Sequence, residues 1–364
     1  MRVILHTNGK SAFGALVKRM NAARRTIELN VFIWRDDATG RKMTEAVLAA
    51  ADRGVRVTIR KDVVAWVFER AEENKRSLLH RGVPRLWLAA KLVELRYGPR
   101  GKSCASFNAS LRSKLLSHPN VSYNEGLRYD HAKYVIIDDE AFFVGGMNFE
   151  DRFVTMDAFG SAWQDYLIEL HDKEVVSLVR KRLRGAPFLA SRSLDVILND
   201  ARGVPHRRFE LKKEILKLLN AATTSVTIAM AYIGDKEMTA ALASLARKGV
   251  PARLLIPARA NVQHDMNFRV ARELRAAGVK VFLCKKMLHA KIVLVDGTVL
   301  LGSANLNKQA MTRVGELDIY ATDRRVVGLV KKELARQFAA ARPATAQELS
   351  YHRFSAWLEQ WVAQ

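Results

Sequence analysis

Apolar positions along the chain fall into two similar series. In the N-terminal half, AFGALVKRMNAA has helical spacing and TIELNVFIW predicts a strand. RKMTEAVLAAADRG returns to helical spacing and VRVTIRKD predicts a second strand. The C-terminal half repeats that order with ELKKEILKLLNAA, SVTIAMAYI, KEMTAALASLARKG and VPARLLIP. Gly54 and Gly249 stand where the second helix of each half should stop, because glycine accepts the left-handed conformation that ends a helix. Strand–helix–strand alternation predicts an α/β fold with a mostly parallel or mixed sheet flanked by helices. The internal repeat predicts two similar lobes related by a pseudo-twofold axis.

The halves differ in length. Gly54 and His131 are 77 positions apart, Gly249 and His289 only 40, so the first half carries about 37 extra residues somewhere in 66–128. Within them Pro84 suits the first turn of a helix running to about Arg96, with a broad apolar face. Packing on the first lobe and entry among lipid headgroups are the two readings of that face. Residues 185–208, with Gly and Pro at both ends, read as a linker between lobes at 1–184 and 209–340. Residues 341–364 read as a C-terminal amphipathic helix, with Phe354, Trp357, Leu358 and Trp361 on one face that should dock on the core.

Composition adds one fact. Sixty Lys and Arg against 37 Asp and Glu give a net charge of +23, a field that attracts polyanions, either nucleic acid or an anionic membrane surface. Cys104 and Cys284 fit no metal spacing and read as two reduced, packed thiols. No signal-like segment and no run of roughly 18 apolar residues is present, so the expected location is cytoplasmic, peripheral on the inner face of the cell membrane.

The chemistry lies in a second repeat. Residues 128–148 read RYDHAKYVIIDDEAFFVGGMN and residues 287–307 read MLHAKIVLVDGTVLLGSANLN. Two apart on a strand, His131 and Lys133 share a face, as do His289 and Lys291. Asp138 and Asp296 end those strands and should brace the turns and the lysines; Asp296-Gly297 is a two-residue hairpin signal, and the first turn is one residue longer. The returning strands reach small residues, Gly146 and Ser303, which let backbone approach a ligand, then Asn148 and Asn305, which offer amide donors. Two His, two Lys and two Asn in one cleft suit a phosphodiester. One neutral imidazole can attack phosphorus to give a phosphohistidine, the other can protonate the leaving alkoxide, and the lysines offset charge on the phosphoryl oxygens. Asp165 and Glu316, 34 and 27 positions after their histidines, should orient the two rings. The scheme calls for no metal and no other cofactor.

These residues resemble the phospholipase D superfamily, whose signature is two H-x-K-x4-D motifs meeting at a pseudo-twofold interface. The similarity covers roughly residues 8–62 and 125–340 and is strongest to the bacterial cardiolipin synthase branch, through VFIWRDDATGRKMTEAVLAAADRGVRV, GGMNFEDRF followed by WQDYLIEL, and the second motif. The resemblance implies an active site at the lobe interface and His131 as nucleophile with His289 as general acid. It also implies a phosphatidyl group passed to an alcohol such as phosphatidylglycerol or glycerol, on an anionic phospholipid surface. Hydrolysis by water and a nuclease acting on nucleic acid are the alternatives. With both motifs in one chain, no obligate dimer is expected. Three features depart from the branch: the lack of transmembrane helices, the shorter second turn, and NKQAMTRVGEL in place of the usual Arg-Ser after the final motif.

Overall fold

The computed structural model describes residues 1–71, 77–79, 83–97, 108–126, 129–156, 160–201 and 208–362. Strand β1 (Arg2–His6), helix α1 (Gly9–Ala22), β2 (Thr26–Asn30), α2 (Ala38–Asp52) and β3 (Arg56–Asp62) open the first lobe. Helices α3 (Ala65–Ala71), α4 (Trp87–Tyr97) and α5 (Ala109–Ser117) lead to β4 (Val121–Gly126). Strands β5 (Tyr134–Ile137), β6 (Ala141–Gly145) and β7 (Leu167–His171) and helix α6 (Lys173–Leu183) complete it. The second lobe runs β8 (Leu194–Asp200), β9 (Arg208–Phe209), α7 (Leu211–Ala221), β10 (Val226–Met230), α8 (Lys236–Arg247) and β11 (Ala252–Pro257). It continues with α9 (His264–Ala276), β12 (Lys280–Cys284), β13 (Lys291–Val295), β14 (Thr298–Gly302), α10 (Lys308–Thr312), β15 (Glu316–Ala321) and α11 (Arg324–Ala340). The chain ends with β16 (Arg342–Pro343) and α12 (Arg353–Val362).

One sheet has the order β1-β7-β6-β5-β2-β3-β4 and the other β16-β12-β11-β10-β13-β14-β15-β8-β9. From β8 to β12 the second repeats the first strand for strand. In each, three strands joined through helices are parallel and the motif hairpin with its neighbours is antiparallel, so both sheets are mixed. Strand β8, which pairs with β15 as β1 pairs with β7, lies inside the stretch read as a linker. The second sheet therefore recruits residues 194–200, because their alternating apolar side chains cap an edge that would otherwise be open.

The two sheets pack face to face. Tyr134 and Ile136 of β5 meet Ile292 and Leu294 of β13 in one shared core. Val135 and Ile137 turn outward under α1 and α2, and Val293 and Val295 turn outward under α7 to α9. Burial on both faces explains why these strands read as unbroken apolar runs. Helix α6 packs on β8 and α11 on β1, so each lobe lends a helix to the other.

The extra residues of the first half enter between β3 and α5. Helices α3 and α4 have no counterpart in the second lobe, where α9 follows β11 directly. Pro84 opens a short 3-10 turn that feeds α4, as the sequence suggests. Gly54 and Gly249 are left-handed, at φ 89° and 85°, and end α2 and α8. Cys284 is buried and free, and Cys104 lies outside the described residues. Among the described residues no helix is long and apolar enough to cross a membrane.

The predicted strand TIELNVFIW ends early, at Asn30. Beyond it the chain leaves the sheet, carrying Phe32 and Ile33 to the wall of a cleft while Trp34 bridges to Phe149. The C-terminal stripe is also corrected. Helix α12 does dock, but through Ala356 and Glu359, leaving Phe354 and Trp357 in solvent; Trp361's side chain is outside the described set.

Candidate active site

The two motif loops meet where the lobes are stitched together. His131 N–H donates to Gly315 O at 2.8 Å, and Gly315 N–H donates to Tyr129 O at 2.7 Å. In the mirror arrangement His289 N–H donates to Gln164 O at 2.7 Å, and Gln164 N–H donates to Met287 O at 2.9 Å. Gly315 immediately precedes Glu316 and Gln164 immediately precedes Asp165, so each bridge delivers a carboxylate to the opposite lobe's histidine. His131 Nδ1 lies 2.9 Å from Glu316 Oε1, and His289 Nδ1 lies 2.7 Å from Asp165 Oδ2. The pairing is crossed, where the sequence suggests that each ring takes the acceptor of its own half.

A carboxylate at Nδ1 fixes the tautomer with the proton on that nitrogen and leaves Nε2 with a lone pair. Both rings border a single cleft of about 280 Å³, together with Asn148, Asn305 and Glu316. Phe32 meets the His131 ring edge to face at 4.9 Å. Trp163, Phe153 and Tyr232 surround His289 at 5.4, 5.7 and 6.0 Å. The His131 side chain is 20% exposed and that of His289 8%, so His131 is the more open of the two.

The lysines lie beneath the rings. Lys133 Nζ donates to the His131 carbonyl, and Lys291 Nζ to the His289 carbonyl, with Lys291 Nζ also 3.0 Å from His289 Nδ1. Burial, helped by Lys133 and Lys291, lowers both imidazoles well below their usual range and favours the neutral ring. Burial pushes Asp165 up to about 7, with Lys291 the largest opposing influence, and Glu316 up to about 8, with Lys133 opposing. It also pulls Lys133 down to about 7 and Lys291 to about 8. Burial thus weakens the charged form of all four groups around the two rings.

Other motif positions act differently from what the sequence suggests. Gly146 does not line the cleft: a Cβ there would sit 2.5 Å from Asp165 Oδ2, so the glycine makes room for that carboxylate rather than for a ligand. Ser303, fully buried, donates its hydroxyl to Glu316 Oε2 and accepts from Leu317 N at 3.0 Å. Its hydroxyl secures the carboxylate. Asn148 reaches the cleft with its Oδ1 accepting from Ile33 N at 3.1 Å and its Nδ2 turned to Glu150 at 3.3 Å. Asn305 also lines the cleft, and its buried Oδ1 has no hydrogen-bond partner among the described residues.

Asp138 and Asp296 touch neither lysine. Asp138 accepts from the N–H groups of Arg24, Arg25 and Thr26, and Asp296 from those of Thr223, Thr224 and Ser225. Each clamps the loop entering the neighbouring central strand. Both are left-handed, at φ 52° and 48°. The turns have the expected lengths, with Val295 paired to Thr298 across two residues and Ile137 to Ala141 across three.

Several cleft residues carry no sequence assignment. Arg152 stacks over Trp163 at 4.3 Å and pairs with Glu150, which also holds the buried Arg35 at 2.6 Å. The GGMNFEDRF stretch contains two of these residues, and its Phe-Glu-Asp-Arg tail was the available signal. The far wall is polar, with Asn261, Gln263, Asn307, Gln309 and Arg313. Among the described residues, no group of three or more His, Cys, Asp or Glu is placed to hold a metal ion.

Comparison with known proteins identifies the family. The family model described as "Cardiolipin synthase, PLD-like domain" matches residues 16–185 and 215–338. Cardiolipin synthase A of Pseudomonas aeruginosa is 29% identical over 365 residues, covering 95% of this chain and 69% of that protein. A cardiolipin synthase of Geobacillus thermodenitrificans is 25% identical over 87% of this chain and 62% of its own length. The crystal structure of phosphatidylserine synthase from Haemophilus influenzae superposes with a TM-score of 0.67 at 13% identity, over 99% of this chain and 91% of that one, and so shares the fold. With the family model matching most of its length and both motifs in place, the chain belongs to the cardiolipin synthase branch of the phospholipase D superfamily, enzymes of phosphodiester transfer.

Proposed function

We propose that this protein is a phosphatidyltransferase of the cardiolipin synthase type, working through a phosphohistidine. The observation that carries the reading is the crossed pair: two imidazoles, each held at Nδ1 by a buried carboxylate of the other lobe, border one cleft. Family membership supplies the phospholipid substrate class.

The first step uses His131, the more exposed ring. Its Nε2 lone pair forms an N–P bond with the donor phosphodiester, the P–O bond to the departing alcohol breaks, and that oxygen takes the proton from Nε2 of His289. In the second step the acceptor hydroxyl gives its proton back to His289 Nε2, its oxygen forms the new P–O bond, and the N–P bond breaks. With phosphatidylglycerol as both donor and acceptor, glycerol is released and two phosphatidyl groups are joined. Glu316 and Asp165 hold the rings and balance the positive charge each acquires. Lys133 and Lys291 offset the phosphoryl oxygens electrostatically from below. The incoming phosphodiester anion favours protonation of one imidazole, the form the general acid requires. Asn305, with its unpartnered Oδ1, suits an acceptor hydroxyl.

Incubation with phosphatidylglycerol vesicles, and separately with plasmid, both in EDTA, tests the reading. The expected result is a diphosphatidyl product and free glycerol with intact plasmid. Phosphatidic acid as the sole lipid product would assign hydrolysis instead, and nicked plasmid with unchanged lipid would assign a nuclease. Lipid radiolabelled at phosphorus should become covalently bound to the wild type in a detergent quench at mildly alkaline pH, where the N–P bond survives, and fail to label a His131→Ala variant.

A further inference from the structure

Among the described residues, two helices carry exposed apolar faces, one on each lobe. Helix α4 rests on α3 through Ala90, Val93 and the preceding Leu86, against Trp66, Val67 and Phe68. Its opposite side presents Trp87, Leu88, Leu92 and Leu95, exposed by 56, 65, 59 and 87%. Phe68 of α3 and Val64 just before it line the cleft, so this face stands one helix away from the mouth. On the second lobe α12 lies on α9, with Met266 N donating to Glu359 at 2.9 Å and His352 N to Asp265 at 3.0 Å. Its Phe354 and Trp357 stack at 5.9 Å and are 73 and 57% exposed. Gln263, the residue that opens α9, also lines the cleft. This second face is again one helix from the mouth.

We propose that α4 and α12 seat the protein on an anionic phospholipid bilayer, with the mouth of the cleft between them and turned to the headgroups. The proposal rests on the phosphatidyltransfer reading and names the elements that bring that site to its substrate. Charge selects the bilayer as occupant. The chain carries +23, and among the described residues on and beside α4, Arg70, Arg85 and Lys91 outnumber Glu94. Such segments are drawn to anionic headgroups, while Trp and Leu at the same place enter the interface. Clusters of large apolar side chains in water are uncommon on monomeric proteins and mark contact surfaces. Helix α4 is also dispensable for the sheet, since the second lobe completes the same strand order without a counterpart. Finally, Phe32, Val64 and Phe68 form an apolar wall that leads from the α4 side toward His131, a route on which acyl chains stay out of water.

The test uses the full chain, L88D/L92D and F354S/W357S variants, and vesicles of phosphatidylcholine with or without phosphatidylglycerol. The wild type should sediment with the anionic vesicles, less so in high salt. Each double variant should lower the bound fraction at least about tenfold, given the burial it forfeits. Turnover of a short-chain phosphatidylglycerol below its critical micelle concentration should stay at the wild-type level in both variants, which also shows that they are folded. Brominated lipid should quench tryptophan emission of the wild type. Variants that bind vesicles like the wild type would overturn the proposal. So would a wild-type dimer in analytical ultracentrifugation that the same substitutions dissolve, since the faces would then cover each other. Vesicle binding without turnover of either substrate would sustain the docking surface and sink the transferase reading; turnover without vesicle binding would do the reverse.

Discussion

The ring of His131 and the carboxylate of Glu316 are 185 residues apart in sequence and 2.9 Å apart in space, and they belong to different lobes. His289 and Asp165 repeat the relationship in the opposite direction at 2.7 Å. Neither lobe therefore contains a complete unit of imidazole and orienting acceptor. The backbone bridges at Gly315 and Gln164 tie the registry of the lobes to the orientation of both rings.

Substituting the acceptors should separate orientation from folding. Asp165→Asn and Glu316→Gln keep the volume but put an amide, which can turn a donor to the ring, where a carboxyl oxygen faces Nδ1. Turnover should fall by about two to four orders of magnitude in each, as in other carboxylate–histidine systems. Initial rates with circular dichroism as a fold control check this. A variant within threefold of wild type would show that its carboxylate is structural.

The same carboxylate should cost stability at high pH. Glu316 is pushed up to about 8 by burial against the pull of Lys133, while an unfolded glutamate titrates near 4.3. A raised folded-state value means that the wild type's stability relative to E316Q is greatest below the unfolded value. That advantage falls as pH rises through about 8. E316Q should therefore gain in melting temperature over the wild type between pH 4.5 and pH 8.5. Thermal melts at the two pH values decide it, and the reverse trend would mean that the lysines outweigh burial.

Glycine 146 offers a finer probe. An added Cβ would meet Asp165 at 2.5 and 2.7 Å, and that carboxylate is also anchored by Tyr166 N at 2.7 Å. Gly146→Ala should displace it by a fraction of an ångström and lower turnover about 100-fold, the scale expected when an orienting group is misplaced. Gly14→Ala is the control: a Cβ there meets nothing within 4 Å, and the change should raise stability by about 0.5–1 kcal/mol with normal turnover. Steady-state kinetics and denaturant melts of both variants give the comparison.

Much of this was readable from the residues. Helical and strand periodicities placed the repeat because each element buries one face or two and its spacing shows it. The DG pair at 296–297 fixed its own turn, since both residues occupy left-handed backbone, at φ 48° and 101°. The crossed pairing was hidden because it depends on how two sheets pack, and sequence proximity favours the acceptor of the same lobe. Phe32 and Ile33 were read as strand because an apolar run looks alike whether it fills a sheet or a cleft wall. The bond from the Ser303 hydroxyl to Glu316 was hidden because a small polar residue does not reveal which side of the strand end its hydroxyl serves.

The motif aspartates should behave as structural residues, and this prediction separates them from the histidines and lysines of the same motif. Asp138 accepts three backbone N–H groups at 2.8 to 3.0 Å while occupying left-handed backbone that alanine disfavours. Asp138→Ala should lower stability by about 2–4 kcal/mol, from lost hydrogen bonds and backbone strain together. The Asp296→Ala change, at a more exposed position, should cost less. Against the pull of burial, the N–H groups of Ser225, Thr223 and Thr224 hold Asp296 below its usual range. Its contribution is therefore present at neutral pH and lost as pH falls through that depressed value. Neither carboxylate reaches a ring or a lysine, so turnover per folded molecule should remain within about threefold of wild type, the consequence expected when a distant clamp is lost and the site keeps its geometry. Urea melts paired with active-site titration make the measurement. A large loss of turnover in a well-folded Asp138→Ala protein would place that residue in the chemistry after all.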